Sequence, residues 1–302
     1  MKKIVYNQRN FKTRDPFFLK HNGKYYHCFT PDTERVCVTC GDTVEEAAQA
    51  EAVVVFIPET DREYSKQLWA PELHIIDGKC YIYVACDDGD NMNHRMYVLE
   101  NDSDDPQKPY RLYGKISDST NRWAIDGTVM KYKAEMYFVW SGLEGEKNVC
   151  QKLYIAKMKN PYELCSERVM ISTPELDWEL HGRTGLENSP HVNEGAFAVE
   201  FDGETYLLYS ASGSGCDKYC MAYLKLVGDN PLDASCWEKN KEPVFCANNL
   251  VKGAGHCSVI CDEDGKLIFF HGWDAEEEEI KWDTVSVWQG ELKIKDGKMI
   301  VE

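Results

Sequence analysis

The chain contains no apolar run that approaches the roughly 20 residues of a membrane-spanning helix. Basic side chains are scarce. Lysine and arginine number 34 against 51 aspartates and glutamates, giving a net charge of −17 and a pI of about 4.9. Such a surface repels nucleic acid and anionic membranes and suits a neutral or cationic small partner. Part of the excess is local: residues 276–279 are four consecutive glutamates, the composition of a solvated loop. Helical periodicity is almost missing, with residues 43–52 (TVEEAAQAEA) the main exception. Also missing are GxSxG, a Walker loop, HExxH and a GxGxxG in a βαβ setting. Gly253-Ala-Gly-His-Cys-Ser leads into a strand-like run, so it is no phosphate cradle.

Cysteine is present in quantity but not in a pattern. The 13 residues are an odd number scattered through apolar runs, as at Cys28, Cys80, Cys86, Cys257 and Cys261. That spread reads as small buried hydrophobes in a reducing compartment rather than a disulfide framework. Cys37-Val-Thr-Cys40 has no second pair and reads as a strand. The opening MKKIVYNQRN has two lysines but no apolar h-region. The expectation is a soluble, cytoplasmic protein.

What is there is a repeat. Five stretches share one design: RDPFFLKHNGKYYHCFT, APELHIIDGKCYIYVAC, AIDGTVMKYKAEMYFVWSG, VNEGAFAVEFDGETYLLYSAS and GHCSVICDEDGKLIFFHGW. Each has two β-prone runs split by Asn-Gly, Asp-Gly or a polar equivalent, the signature of a β-hairpin. The third copy, with Tyr-Lys-Ala-Glu, lacks the glycine and is the weakest. A lone hairpin cannot bury its apolar face. Units recurring about 55–70 residues apart satisfy one another by radial packing, as blades do. The predicted architecture is all-β, a five-bladed β-propeller, forming a single domain over residues 1–302. Residues 3–6 are β-prone and are placed to pair with the last blade and close the ring. Outer strands are expected at residues 35–39, 53–57, 96–100, 152–158, 219–226 and 284–288, with 291–301 finishing the fold.

Each copy is headed by a polar residue: Asp15, Glu72, Asp126, Glu194 and His256. In a propeller these heads begin the innermost strands and face the axis. Acids far apart in sequence would thereby converge. Asp15, Asp126 and Glu194 are then the candidate catalytic residues. Three carboxyl groups in a pocket for a neutral ligand suggest glycoside hydrolysis, which needs one protonated acid and one ionised carboxylate. If the carboxylate activates water, the two groups stand about 6.5–9.5 Å apart and the anomeric configuration inverts. The third acid can raise its neighbour's pKa, since nearby carboxylates resist ionising together.

Three further stretches bear on a pocket. Trp69 precedes the second head and can stack on a sugar ring or fill the core. Residues 87–93 (DDGDNMN) have calcium-loop composition but lack the glutamate at the twelfth position, which is Leu99, and read as a blade-connecting turn. Residues 173–190 form a long polar segment whose Trp178, His181 and Arg183 could wall a pocket or lie in a surface loop.

The pieces Arg14-Asp15-Pro16, Leu68-Trp-Ala-Pro-Glu72 with His74, Arg95-Met-Tyr-Val-Leu-Glu100, Ile125-Asp126, Val192-Asn-Glu194-Gly195, Tyr209-Ser-Ala-Ser212 and Gly255-His256 occur in a specific order. Through them the chain resembles glycoside hydrolase family 43 from about residue 14 to 270. The resemblance implies a five-bladed propeller and an inverting mechanism. Asp15 would be the general base, Asp126 would raise the pKa of the acid and orient it, and Glu194 would be the general acid. His256 would sit at the axis, where many members hold a calcium or other ion through water. Trp69, Glu72 and His256 are the candidate substrate-binding residues. No organic cofactor is implied.

The WAPE and RMYVLE segments look most like the exo-acting α-L-arabinofuranosidases of that family. The implied substrate is an arabinan or arabinoxylan oligosaccharide. A β-xylosidase and a non-catalytic carbohydrate-binding propeller are the alternatives. Two prolines of the family pattern are Ala196 and Ala254 here. Such enzymes often carry a sugar-contacting arginine near residues 283–287, and here the strand is Trp282-Asp-Thr-Val-Ser-Val.

Overall fold

The computed structural model of the chain describes residues 1–6, 14–183, 185–186, 188–262 and 265–302. The hairpins form where the turn chemistry demands them. Asn22-Gly23, Asp77-Gly78 and Asp202-Gly203 all have positive φ at both central positions, the backbone of the tight turns that match strand twist. The third hairpin turns without glycine by placing Lys133 at φ 55°. The fifth turn includes residues 263 and 264, which lie outside the described residues.

Each hairpin grows outward into an antiparallel blade. Blade one is Phe17–His21, Lys24–Phe29, Val36–Gly41 and Val53–Phe56. Blade two is Lys66–Ile76, Lys79–Asp87, Arg95–Asn101 and Arg111–Ile116. Blade three is Ala124–Tyr132, Glu135–Leu143 and Cys150–Asn160, with short Glu163–Leu164 and Val169–Ser172 on its outer edge. Blade four is His191–Phe201, Glu204–Ala211, Cys220–Leu226 and Trp237–Lys239. Blade five is Val251–Asp262, Gly265–Asp274 and Ser286–Lys295, the last also pairing with Lys298–Val301. A two-residue parallel bridge, Cys150 to His191 and Gln151 to Val192, links blades three and four.

The ring closes twice over. The five innermost strands touch in sequence, and the fifth touches the first. Lys2–Lys3 then adds to Ser286–Lys295 as the outer strand of blade five, and the Ile4 N–H donates to the Val287 carbonyl. One apolar cluster fills each blade interface. Leu73, Ile82 and Leu99 meet Phe17 and Val38 between blades one and two, and Tyr83 and Met96 meet Phe138 and Trp140 between two and three. Ile155 meets Leu207 and Tyr209 between three and four, and Leu208 meets Ile268 and Phe270 between four and five. The closing seam is the smallest, with Ile4, Phe18, Val44 and Ala48 against Ile260, Phe269 and Val287.

The expected helix is present at Val44–Gln49, capped by the Thr43 side chain, which accepts from the Glu46 N–H. The Cys37–Cys40 stretch lies in a strand, as read. Two readings change. The outer strand Arg111–Ile116 was not foreseen, because RLYGKI is short, mixed and interrupted by glycine. The Asp87–Asn93 stretch connects two strands of blade two rather than two blades. Its acids are consumed locally: Asp88 accepts from the Asn93 amide, and Asp90 caps the following turn.

Candidate active site

The copy heads reach the axis through a repeated irregularity. Asp15, Asp126 and His256 have φ of 53°, 54° and 52°, and Gly195, next to Glu194, has 59°. Register slips at Ile125/Thr128, Glu194/Phe197 and Gly255/Ser258 accompany them. A β-bulge of this kind re-aims a side chain that regular pleating would send into the blade interface. Non-glycine residues at positive φ cost about 1–3 kcal/mol each and mark sites where the fold overrides local preference. Gly195 is also needed for space, since a Cβ there would fall 3.1 Å from the His256 ring.

Asp15, Asp126, Glu194 and His256 line one cavity of about 400 Å³. His256 Nδ1 lies 3.3 Å from Asp15 Oδ1 and 3.7 Å from Asp126 Oδ2. The Gly195 N–H donates to Asp126 Oδ2 at 3.1 Å, tying the third head to the strand that carries Glu194. The Tyr219 hydroxyl donates to Glu194 Oε1 at 2.8 Å. His271 Nδ1 lies 3.0 Å from Asp15 Oδ1. Its buried Nε2 has no partner. The Asp15 backbone N–H also points at Nδ1, 3.3 Å away, so that nitrogen meets a donor and an acceptor of the same residue.

These surroundings push the three acids apart. Burial works against ionising Asp15, but His256, His271 and Arg14 together outweigh it and hold the carboxyl well below its usual range. Burial first, and then the charge of Asp126, push Glu194 up to about 8. Asp126 lies between, raised to about 6 by burial and by Asp15 and lowered by His256 and the Gly195 N–H. Burial disfavours the charged form of His256, yet Asp15, Asp126, Glu194 and Glu72 raise its pKa. One carboxyl held ionised and another held protonated near neutral pH is the pairing that acid–base hydrolysis needs.

The cavity wall is aromatic and cationic. Trp69 stacks one face on His94 at 4.0 Å and is half-buried on the cavity, so it both packs and borders the ligand space. Trp123 and Trp282 also line it. The strand after Trp282 has no arginine, but the guanidiniums of Arg14 and Arg183 stand 4.8 and 5.8 Å from the Trp282 ring. Of the polar segment 173–190, Arg183 reaches the cavity. Trp178 instead packs on the core and donates to the Lys241 carbonyl. His181 does not line the cavity; its carbonyl accepts from the Gly213 N–H. Residues 184 and 187 of that segment lie outside the described residues.

Glu72 is placed differently from the expectation of a ligand contact. It does not line the cavity, is 5% exposed, and pairs with His74 Nε2 at 2.9 Å. The second slip in its strand, between Trp69 and Glu72, turns Trp69 rather than Glu72 toward the opening. Its charge still acts on Asp126 and His256. The donor set around His256 does not fit a directly held calcium, which takes six to eight oxygen ligands. Among the described residues no group of three or more His, Cys, Asp and Glu is gathered to hold a metal.

Sequence reasoning passed over His271 and Tyr219, although HGW closes the fifth copy. It also missed Glu179, which is fully buried. Glu179 accepts from the Asn193 amide at 2.9 Å, the Tyr209 hydroxyl at 3.0 Å, Lys239 Nζ at 2.9 Å and two backbone N–H groups. Asn193 is further held by Ser141 on its carbonyl and Ser172 on its side chain. This network fixes the strand one residue before Glu194.

The Glycosyl hydrolases family 43 model matches residues 8–286. The chain is 30% identical over 272 residues to an extracellular exo-α-(1→5)-L-arabinofuranosidase of Streptomyces chartreusis, covering 87% of this chain and 80% of that one. It is 32% identical over 266 residues to α-L-arabinofuranosidase 43 of Humicola insolens, covering 85% of this chain but 54% of the relative, about half its length. The crystal structure of an α-L-arabinofuranosidase from Lactobacillus brevis superposes with a TM-score of 0.86 at 28% identity, covering 98% and 95% of the two chains. The cytoplasmic expectation is overturned, since relatives of this chain are named extracellular. The cysteines misled because burial first, with nearby charges, pushes up thiols such as Cys28, Cys86 and Cys257 and makes them inert, whatever the compartment. The chain is a glycoside hydrolase and belongs to glycosyl hydrolases family 43.

Proposed function

We propose that the chain is an inverting, exo-acting α-L-arabinofuranosidase that removes terminal arabinofuranosyl units from arabinan or arabinoxylan oligosaccharides. The observation that carries this reading is the opposed electrostatic bias of Asp15 and Glu194 in one cavity. Asp15 takes the proton of the attacking water. Glu194 gives its proton to the leaving oxygen. Asp126 keeps Glu194 protonated through its charge and holds the Gly195 amide. Trp69, Trp123 and Trp282 offer faces to the sugar, and Arg14 and Arg183 offer donors to its hydroxyls.

The test is release of 4-nitrophenol from the α-L-arabinofuranoside and the β-D-xylopyranoside in parallel, with anomer detection by NMR. The arabinofuranoside should be preferred and its first product should have inverted configuration. A preference for the xyloside would replace the reading with a β-xylosidase. Sugar binding without turnover by folded protein would replace it with a carbohydrate-binding propeller.

The axial calcium implied by the resemblance would rest on His256 and water. A water-held ion exchanges readily, so EDTA should strip it, and kcat should change by no more than about twofold because the contacts that set Asp15 and Glu194 come from protein groups. A larger loss, restored by added Ca²⁺, would place an ion in the working enzyme.

A further inference from the structure

We infer that Tyr219 is a positioning residue for Glu194 and that it fixes which oxygen of that carboxyl carries the proton. The inference rests on the reading of Glu194 as general acid. Tyr219 is fully buried and lies just before the third strand of blade four. Ser210 stands directly opposite Glu194 in the ladder. The His256 N–H donates to Ser210 Oγ at 2.6 Å. The Tyr219 O–H donates to Glu194 Oε1 at 2.8 Å. Ser210 thus holds the His256 backbone beside the acid, and Tyr219 holds one oxygen of the acid itself.

The direction has a chemical consequence. In a neutral carboxylic acid the carbonyl oxygen is the better acceptor. A phenol donating to Oε1 therefore makes Oε1 the carbonyl and puts the acidic proton on Oε2. The phenol cannot swing away. Its ring stacks on His271 at 5.5 Å and 9°, and Gly255 lies close against the ring. His271 is the residue that holds Asp15, so one aromatic stack braces both acids. The charged groups facing Glu194 are Asp126, His256 and Asp15, and all three remain in place when the hydroxyl is removed.

Tyr219→Phe keeps the ring and removes only the donor. It should lower kcat on an arabino-oligosaccharide about 3–10-fold with little change in KM, the loss expected of one buried hydrogen bond made to the reacting acid. The basic limb of the kcat/KM profile should move to higher pH, because a donor to the carboxylate has been lost. The deficit should vanish with a strongly activated aryl leaving group that needs no proton. An unmoved limb, or an equal loss with both leaving groups, would reduce Tyr219 to packing and overturn the inference. Should Glu194→Gln itself show no dependence on the leaving group, the reading of Glu194 fails instead, a separate result.

Discussion

Glu194→Gln should lose about 10²–10⁴-fold in kcat on an arabino-oligosaccharide, whose sugar leaving group needs the proton, the range for removing one general acid. Glutamine preserves the shape and still accepts from Tyr219 through its Oε1, so the fold should be untouched. The loss should shrink sharply on an activated leaving group. Asp15→Asn should lose as much, on every leaving group, because water attack is needed in all cases. In the wild type, activity should fall as pH rises through about 8, where Glu194 gives up its proton. On the acid side Asp15 keeps its charge below the usual carboxylate range, so the base is not what first limits the rate as pH falls. Asp126→Asn should pull the basic limb downward, since Asp126 is the neighbouring charge that most raises Glu194. The limbs belong to the coupled set rather than to single residues. A basic limb that stays near 8 in Asp126→Asn would remove Asp126 from the role assigned to it.

The propeller was legible in the chain because hairpin turns and blade cores speak through local chemistry. Asn22-Gly23 and Asp77-Gly78 require positive φ, and alternating apolar runs beside them can only pack blade on blade. The heads were legible less sharply, since their offsets from the turns vary: Asp15 lies seven residues before Asn22, Glu72 five before Asp77 and Glu194 eight before Asp202. Tyr219 and His271 were not. His271 lies on a second strand and Tyr219 just before a third, and which way such a side chain faces depends on bulges at Glu194/Phe197 and Gly255/Ser258 that break period-two counting. Glu72 lies off the cavity for the same cause, two register slips in one strand. Glu179 was hidden differently. A glutamate in a polar segment reads as solvated, and only the assembled fold brings it Lys239 from 60 residues away.

The largest structural effect should come from Gly255→Ala. Gly255 has ordinary backbone angles, so the objection is space alone. An added Cβ would fall 2.1 Å from Cε1 of Tyr219, a ring that is fully buried and already stacked on His271. Neither partner can yield cheaply. The strand cannot retreat, because register slips flank Gly255 on both sides and its pairing with His271 spans the gap. Overpacking of this kind costs about 1–3 kcal/mol, and relief by displacing Tyr219 would withdraw the hydroxyl from Glu194. Thermal unfolding should therefore fall by several degrees and kcat should fall with it. Gly114→Ala is the matched control: nothing lies within 4 Å of its Cβ position, on an edge strand, and stability should stay within about 0.5 kcal/mol. Equal melting temperatures for Gly255→Ala and wild type would mean that Tyr219 has room to move, and with it the clamp on the catalytic acid would be lost.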